Sequence, residues 1–349
     1  MEKLIIKIIF IIIYVVFRIT LVIPWIFTHF LISAIFNKRC EFTQKRLYVE
    51  DFEGLREQKL QIKSGKETLA GGIYTSEKAK SNGALMVFVH GIGCGKNNYY
   101  NRINYFAKKG FTVLAYDGTG CCESSGKGMV GLSRGIIDLN NVLDYVLVND
   151  KFGQDKMVLY GHSWGGYSVT SILNGDKNDH IDAVVCASGF NDPIDMLCYQ
   201  CEGMLGKLVK LSVDFIKLVD WCKFGKVSRY TAINGINKFN KPVFVAHSDD
   251  DETIIYDYSV LNKAGKCTNN NAEFHLFFGK GHTLVRPYEN IERLKKSFET
   301  TPAKMPLFKE NIFKLHFDAS YRNADINDLY AVDEDYLNKI NDFYTKTLI

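Results

Sequence analysis

The stretch Met157–Val169, MVLYGHSWGGYSV, sets an apolar run directly against residues with helical spacing, with no turn between them. A strand that becomes a helix within about three residues needs a very tight corner. Glycines on both sides of one serine allow that corner, because a side chain there collides with the crossing backbone. Ser163 is left projecting from the strand's carboxyl end. The helix N-terminus behind it favours negative charge.

The surrounding chain alternates strands and helices. Ala84–His90 reads as a buried strand, and Phe111–Tyr116, Met157–Tyr160, Ile181–Ala187, Lys241–Ala246 and Glu273–Phe278 as further strands. Asn98–Lys109, Ser133–Val148 and Trp164–Leu173 have helical spacing, as does a final helix over Asp333–Thr347. Continuous apolar strands in such an alternation predict an α/β fold whose central sheet is mostly parallel and flanked by helices. Glu50–Lys66 reads as a charged, helix-capable connector. Between Ser188 and Pro242 roughly fifty residues lack strand character, too many for a plain loop. Met196, Leu205, Leu208, Leu211, Phe215 and Leu218 recur there at helical spacing, which predicts a helical lid over the site.

The first residues differ from the rest. Leu4 to Phe36 is nearly all Ile, Phe, Val and Leu, broken by Lys7, Arg18, Pro24 and His29. It is too long for a cleaved signal peptide, so we expect a single-pass N-terminal membrane anchor over residues 4–36. Arg18 at mid-bilayer costs about 2.5–3.5 kcal/mol, which places the span at Ile19–Phe36, with Lys38 and Arg39 at the other interface. The small excess of basic residues after the stretch (Lys38, Arg39, Lys45, Arg46 against Lys3, Lys7) points to a cytoplasmic catalytic domain. The expected organisation is an anchor over 1–39, a first core part over 40–190, the lid over 191–240, and over 241–349 a second core part with the C-terminal helix.

Composition excludes some classes. A net charge of +4, with no basic run carrying interleaved aromatics, argues against nucleic-acid partners. Nine cysteines form no even framework, and Cys198-Tyr-Gln-Cys201 lacks the strand-then-helix setting of a redox motif. We read them as thiols. There is no metal-ligand cluster, and no cofactor is expected.

Ser163 needs a base, and the base needs an orienting carboxylate. Both follow in the order usual for a serine on such a corner. Ser248-Asp249-Asp250-Asp251-Glu252-Thr253-Ile254 comes after one strand, and Gly279-Lys280-Gly281-His282-Thr283 after the next. The candidate catalytic residues are therefore Ser163, Asp251 and His282. Acyl transfer also requires donors for the oxyanion. The Trp164 N–H is one candidate and the Ile92 N–H, in His90-Gly91-Ile92-Gly93, the other; Gly91 lets that backbone come close, as Gly161 and Gly165 do at the corner. A phosphate loop is excluded, since Gly91–Lys96 lacks the Walker spacing and Asn97 follows the lysine.

The motifs HGIG, YDGTGCCES, GHSWGG, VAHSDDDETI and GKGH, spread from about Ala84 to His282, resemble the alpha/beta-hydrolase family in its lid-bearing lipase, esterase and aminopeptidase-like branch. The resemblance implies Ser163 as nucleophile, His282 as general base and acid, and Asp251 as its orienter, Asp251 matching H-G-x-x-D counted from His247. Ser248 stands where the family usually has Gly, which leaves Asp250 open as the orienter; Thr119 and Cys122 replace the usual Arg and Gly of the D-x-R-G-x-G-x-S turn. A serine at the elbow argues against the carboxylate-nucleophile dehalogenases and epoxide hydrolases. The expected activity is cleavage of an ester, thioester or small amide of an acyl or lipid-like substrate. Acyl transfer to another acceptor, or a non-catalytic membrane-tethered binding role, remain open alternatives.

Overall fold

The computed structural model describes residues 2–41, 46–149, 152, 156–206, 209–287, 289–293 and 325–348. Leu208 of the expected lid, Lys45 of the basic flank and residues 294–324 of the expected second core part lie outside the described residues.

Eight strands form one sheet: β1 (Leu55–Ser64), β2 (Glu67–Ser76), β3 (Ala84–Val89), β4 (Thr112–Tyr116), β5 (Lys156–His162), β6 (Ala183–Ala187), β7 (Val243–Ser248) and β8 (Ala272–Phe277). Their order is β1-β2-β4-β3-β5-β6-β7-β8. From β4 to β8 every pairing is parallel, while β1–β2 and β2–β4 are antiparallel. Strands β3 to β7 are apolar on both faces because helices cover both, whereas the edge strand β8 is half-exposed. On β3, Leu85, Val87 and Val89 pack into one core with Ile136 and Leu139, whereas Met86 and Phe88 pack into the other with Phe106 and Tyr344.

The connector expected over Glu50–Lys66 is instead most of a β-hairpin. Leu60, Ile62 and Ser64 are buried at a spacing of two, and the two-residue turn Gly65-Lys66, with Gly65 at φ 64°, joins β1 to β2. The polar residues of the solvent face, dense in Lys, Glu and Gln, obscured that alternation.

Ten α-helices are described: α1 (Glu2–Phe17), α2 (Ile23–Phe36), α3 (Tyr100–Lys108), α4 (Arg134–Leu147), α5 (Trp164–Ser171), α6 (Pro193–Leu205), α7 (Val209–Phe224), α8 (Ala232–Phe239), α9 (Ile326–Tyr330) and α10 (Glu334–Leu348). α4 and α5 pack on one face of the sheet, α3 and α10 on the other. Between β6 and β7, α6 and α7 pack on each other, whereas α8 packs on α5 in the helical layer.

The N-terminal helices run together through a π turn, Arg18–Val22. Pro24 cannot donate to the Thr20 carbonyl, and the Ile23 N–H reaches back to the Arg18 carbonyl, so the widened turn absorbs the proline. Ile5–Phe36 is long and apolar enough to cross a membrane, its most apolar 18 residues having a mean hydropathy of 2.6. From Ile5 to Phe27 its side chains are almost all exposed. Beyond that, Thr28, Leu31, Ile32 and Phe36 are buried as one stripe, and α2 packs on α7. The Arg39 guanidinium is taken up by the domain. It donates to the carbonyls of Cys122, Ser124 and Gly126 at 2.7, 3.0 and 2.7 Å.

Candidate active site

The corner between β5 and α5 is as tight as the glycines imply. A Cβ on Gly161 would lie 2.2 Å from the Gly165 carbonyl oxygen, and one on Gly165 would lie 2.1 Å from that of Val89. Ser163 sits at φ 57°, ψ −116°, a conformation that non-glycine residues adopt only when their surroundings force it. Its N–H is held by the Ala187 carbonyl at 2.8 Å. Trp164 is the first residue of α5, so its N–H has no intrahelical acceptor. Among the described residues the Ile92 N–H has no hydrogen-bond partner either. Ile92, Ser163 and Trp164 border one narrow apolar pocket.

Two loops bring the other candidates together. His282 faces Asp251, with Nδ1 at 2.8 and 3.0 Å from the two carboxylate oxygens. The Asp251 Oδ1 also accepts from the N–H groups of Thr253 and Ile254, both at 2.9 Å. Burial pushes the Asp251 carboxyl up, but the His282 imidazole, with help from His247 and the backbone donors, holds it below the usual carboxylate value. A ring held at Nδ1 presents Nε2 as the working nitrogen. Ser163 Oγ has no hydrogen-bond partner among the described residues; in unliganded sites such contacts are often long and close only around the substrate.

Asp250, the other possible orienter, does something different. Its Oδ1 accepts from the Gly281 N–H at 2.8 Å and from Ser248 Oγ at 2.6 Å. Asp249 accepts from the Gly279 N–H at 2.9 Å, and Ser248 Oγ from the Lys280 N–H at 3.0 Å. Three successive side chains at the end of β7 and just beyond it thus hold three successive backbone donors before His282. The serine in place of the family's usual glycine belongs to this cradle.

Two residues that the motif reading passed over tie the loops to the elbow. Tyr99 Oη accepts from the Gly91 N–H at 2.9 Å and reaches His162 Nδ1 at 2.8 Å. His162 Nε2 is 2.9 Å from the His282 carbonyl. With Nδ1 accepting, Nε2 carries the proton and donates to that carbonyl. Burial, seconded by the Arg102 charge, keeps His162 well below the usual histidine value, so it stays neutral. His162 occupies the first variable position of G-x-S-x-G and Tyr99 lies outside every motif; only the histidine's place beside Ser163 could have drawn attention.

The departures in the turn after β4 also have a structural account. Thr119 donates through its N–H and hydroxyl to buried Asp138, at 2.7 and 2.9 Å, and Arg134 reaches the same carboxylate at 2.9 Å. Arg134 supplies from α4 a guanidinium the turn lacks. His90 Nδ1 donates to the Gly91 carbonyl at 2.7 Å while Nε2 accepts from the Gly118 N–H at 2.8 Å, joining this turn to the Ile92 loop.

A family model described as the alpha/beta hydrolase fold matches residues 84–204. The chain has the alpha/beta-hydrolase fold. Its fold is similar to that of an esterase of Pyrococcus furiosus, at 19% identity over 71% of this chain and 90% of that one, with a TM-score of 0.53. It is also similar to Est1E from Butyrivibrio proteoclasticus, solved with ferulic acid bound, at 19% identity over 69% and 97%, with a TM-score of 0.51. No curated protein matches the chain in sequence. The described residues hold no group of three or more His, Cys, Asp or Glu that could bind a metal ion.

Proposed function

We propose that the chain is a membrane-anchored serine hydrolase that cleaves an ester, thioester or small amide of an acyl or lipid-like substrate through an acyl-enzyme on Ser163. The observation that carries this reading is His282, gripped at Nδ1 by Asp251 and held at its carbonyl by His162, the residue beside Ser163. His282 Nε2 takes the Ser163 proton as Oγ attacks the carbonyl carbon. Charge on the carbonyl oxygen meets the N–H groups of Ile92 and Trp164, each such donor being worth about 2.7–4 kcal/mol of activation free energy. The tetrahedral intermediate then expels the alcohol, thiol or amine, which receives the proton from His282. Water repeats the sequence on the acyl-enzyme, releasing the acid and restoring Ser163. Asp251 stays ionised throughout.

Fluorophosphonate labelling tests the chemistry. Labelling should be lost in Ser163→Ala and in His282→Ala; labelling of the intact protein that does not depend on Ser163 ends the claim.

The exposed part of the N-terminal helix supports the anchor. Ile5–Phe27 is about 35 Å long, enough for a hydrocarbon core of about 30 Å. Its many Ile, Val, Leu and Phe residues, each favourable by about 0.3–0.6 kcal/mol, offset Arg18 at about 2.5–3.5 and Lys7, which costs less because it lies close to the end of the span. Cleavage as a signal sequence would strip away Leu31, Ile32 and Phe36, which are built into the core. We place the catalytic domain on the cytoplasmic side, as the flanking charges suggest; protease protection in sealed vesicles decides it.

A further inference from the structure

The pocket beside Ser163 has an unexpected wall. Ile35 and Phe36, the last residues of the N-terminal helix, line it together with Met196 and Leu197 of α6. The helix end is fixed there by backbone contacts. The Val130 N–H donates to the Phe36 carbonyl at 3.2 Å, the Cys40 N–H to that of Gly120 at 2.9 Å, and the Cys122 N–H to that of Cys40 at 2.7 Å. Gly128 leaves room for this approach: a Cβ there would lie 2.4 Å from the Phe36 carbonyl oxygen. With the Arg39 clamp, the register of the helix on the domain is set to one position.

We propose that the anchor helix is also a specificity element: Ile35 and Phe36 form the acyl wall of the substrate pocket, and the substrate is a lipid-like ester or thioester whose chain enters from the bilayer that holds the same helix. This rests on the serine-hydrolase reading above. The pocket lining is apolar apart from Ser163 and Thr253, which suits a hydrocarbon chain and leaves a charged acyl group without partners. Phe30, 71% exposed, lies five residues before Ile35, about 8 Å along the helix axis, so the pocket opens close to the surface that meets lipid. α7, packed on α2, exposes Leu218 and Trp221 one turn apart, the residue types expected of a helix resting at a membrane interface. A chain leaving the bilayer beside α2 reaches Ser163 without crossing water.

The test uses the full chain reconstituted in phosphatidylcholine vesicles. In the first arm, nitrophenyl laurate and nitrophenyl acetate are compared. Ile35→Trp should lower the laurate-to-acetate ratio of kcat/KM about tenfold or more, and Ile35→Ala, which opens the wall, should raise it. Unchanged ratios in both variants, with Ser163 still labelled by fluorophosphonate, overturn the proposal while leaving the hydrolase reading intact. In the second arm, Ser163→Ala protein binds a diazirine-bearing long-chain ester delivered in the vesicles and is irradiated. Crosslinks should fall on the peptide carrying Ile35 and Phe36. Crosslinks confined to other peptides, or none, overturn the proposal whether or not the serine chemistry stands.

Discussion

The two halves of the candidate site are held by different physics. The nucleophile side, from β5 into α5, is fixed by exclusion: Gly161 and Gly165 have no space for a Cβ, and Ser163 is forced to positive φ. The acid–histidine side, after β7 and β8, is fixed by attraction, with carboxylates and a hydroxyl collecting the N–H groups of Gly279, Lys280 and Gly281. Sterics are all-or-none and hydrogen bonds are graded. Damage to the first side should therefore appear as lost stability, and damage to the second as lost rate.

Asp251→Asn gives the largest expected effect. It keeps the size of the side chain but removes the acceptor that selects the His282 tautomer, and kcat should fall about 10⁴-fold, the scale of such a change in a serine–histidine–aspartate site. Thermal unfolding should move little, since Thr253 and Ile254 keep an oxygen to donate to. Steady-state kinetics beside calorimetry reads both. An Asp251→Asn protein that retains activity but unfolds early inverts the comparison.

Next comes Gly165→Ala. A methyl 2.1 Å from the Val89 carbonyl oxygen requires backbone movement of β3 or α5, so we expect a loss of about 3 kcal/mol or more in denaturant unfolding. Gly265→Ala is the control. No heavy atom would come within 4 Å of its Cβ, and the change should be neutral or stabilise by about 0.4–1 kcal/mol. Equal effects at the two glycines would remove the steric argument.

The same contrast explains what was legible in the amino-acid order. Exclusion is local, so GHSWGG alone announced the corner, and the apolar strands announced the parallel sheet around it. Attraction is distant. Ser248, Asp249 and Asp250 look like a solvated acidic turn until Gly279–Gly281 are beside them, and nothing in the sequence separates Asp250 from Asp251. The hairpin was hidden because its edge strand, β1, buries one face only, and the charged face of β1 resembles that of a helix. The N-terminal helix was legible as apolar and long, but its periodicity could not reveal that its last turns belong to the pocket. Tyr99 and His162 escaped notice because their roles rest on contacts 63 and 120 residues away in sequence.

His162 bridges the halves, and its replacement sharpens the comparison. His162→Phe removes the donor to the His282 carbonyl and leaves Tyr99 Oη with one partner fewer, a loss of about 1–3 kcal/mol for a buried polar group. Because that bond positions the histidine loop, kcat should drop about ten- to a hundred-fold. A variant with unchanged kcat would show that the loop is held by its own cradle alone.

The smallest effect is in the pH dependence of stability, and it separates the halves by sign and window. His162 is depressed in the folded protein, so its contribution is complete above the unfolded histidine value of about 6.5 and is lost as pH falls towards its folded value. Asp251 is also depressed, but against an unfolded value of about 3.9, so its contribution survives to lower pH and is lost only as pH falls through its folded value. Between pH 6.5 and 5 the elbow side should weaken first, by at most about 1.4 kcal/mol per pH unit for each proton taken up on unfolding. Buried His90 and His247, both depressed by burial, add to the same slope. His162→Phe should flatten it by up to one proton, and Asp251→Asn should leave it alone. Urea unfolding at several pH values checks this; an unaltered slope in His162→Phe would mean that the buried imidazole is charged, and that the bond to the His282 carbonyl is made by a cation.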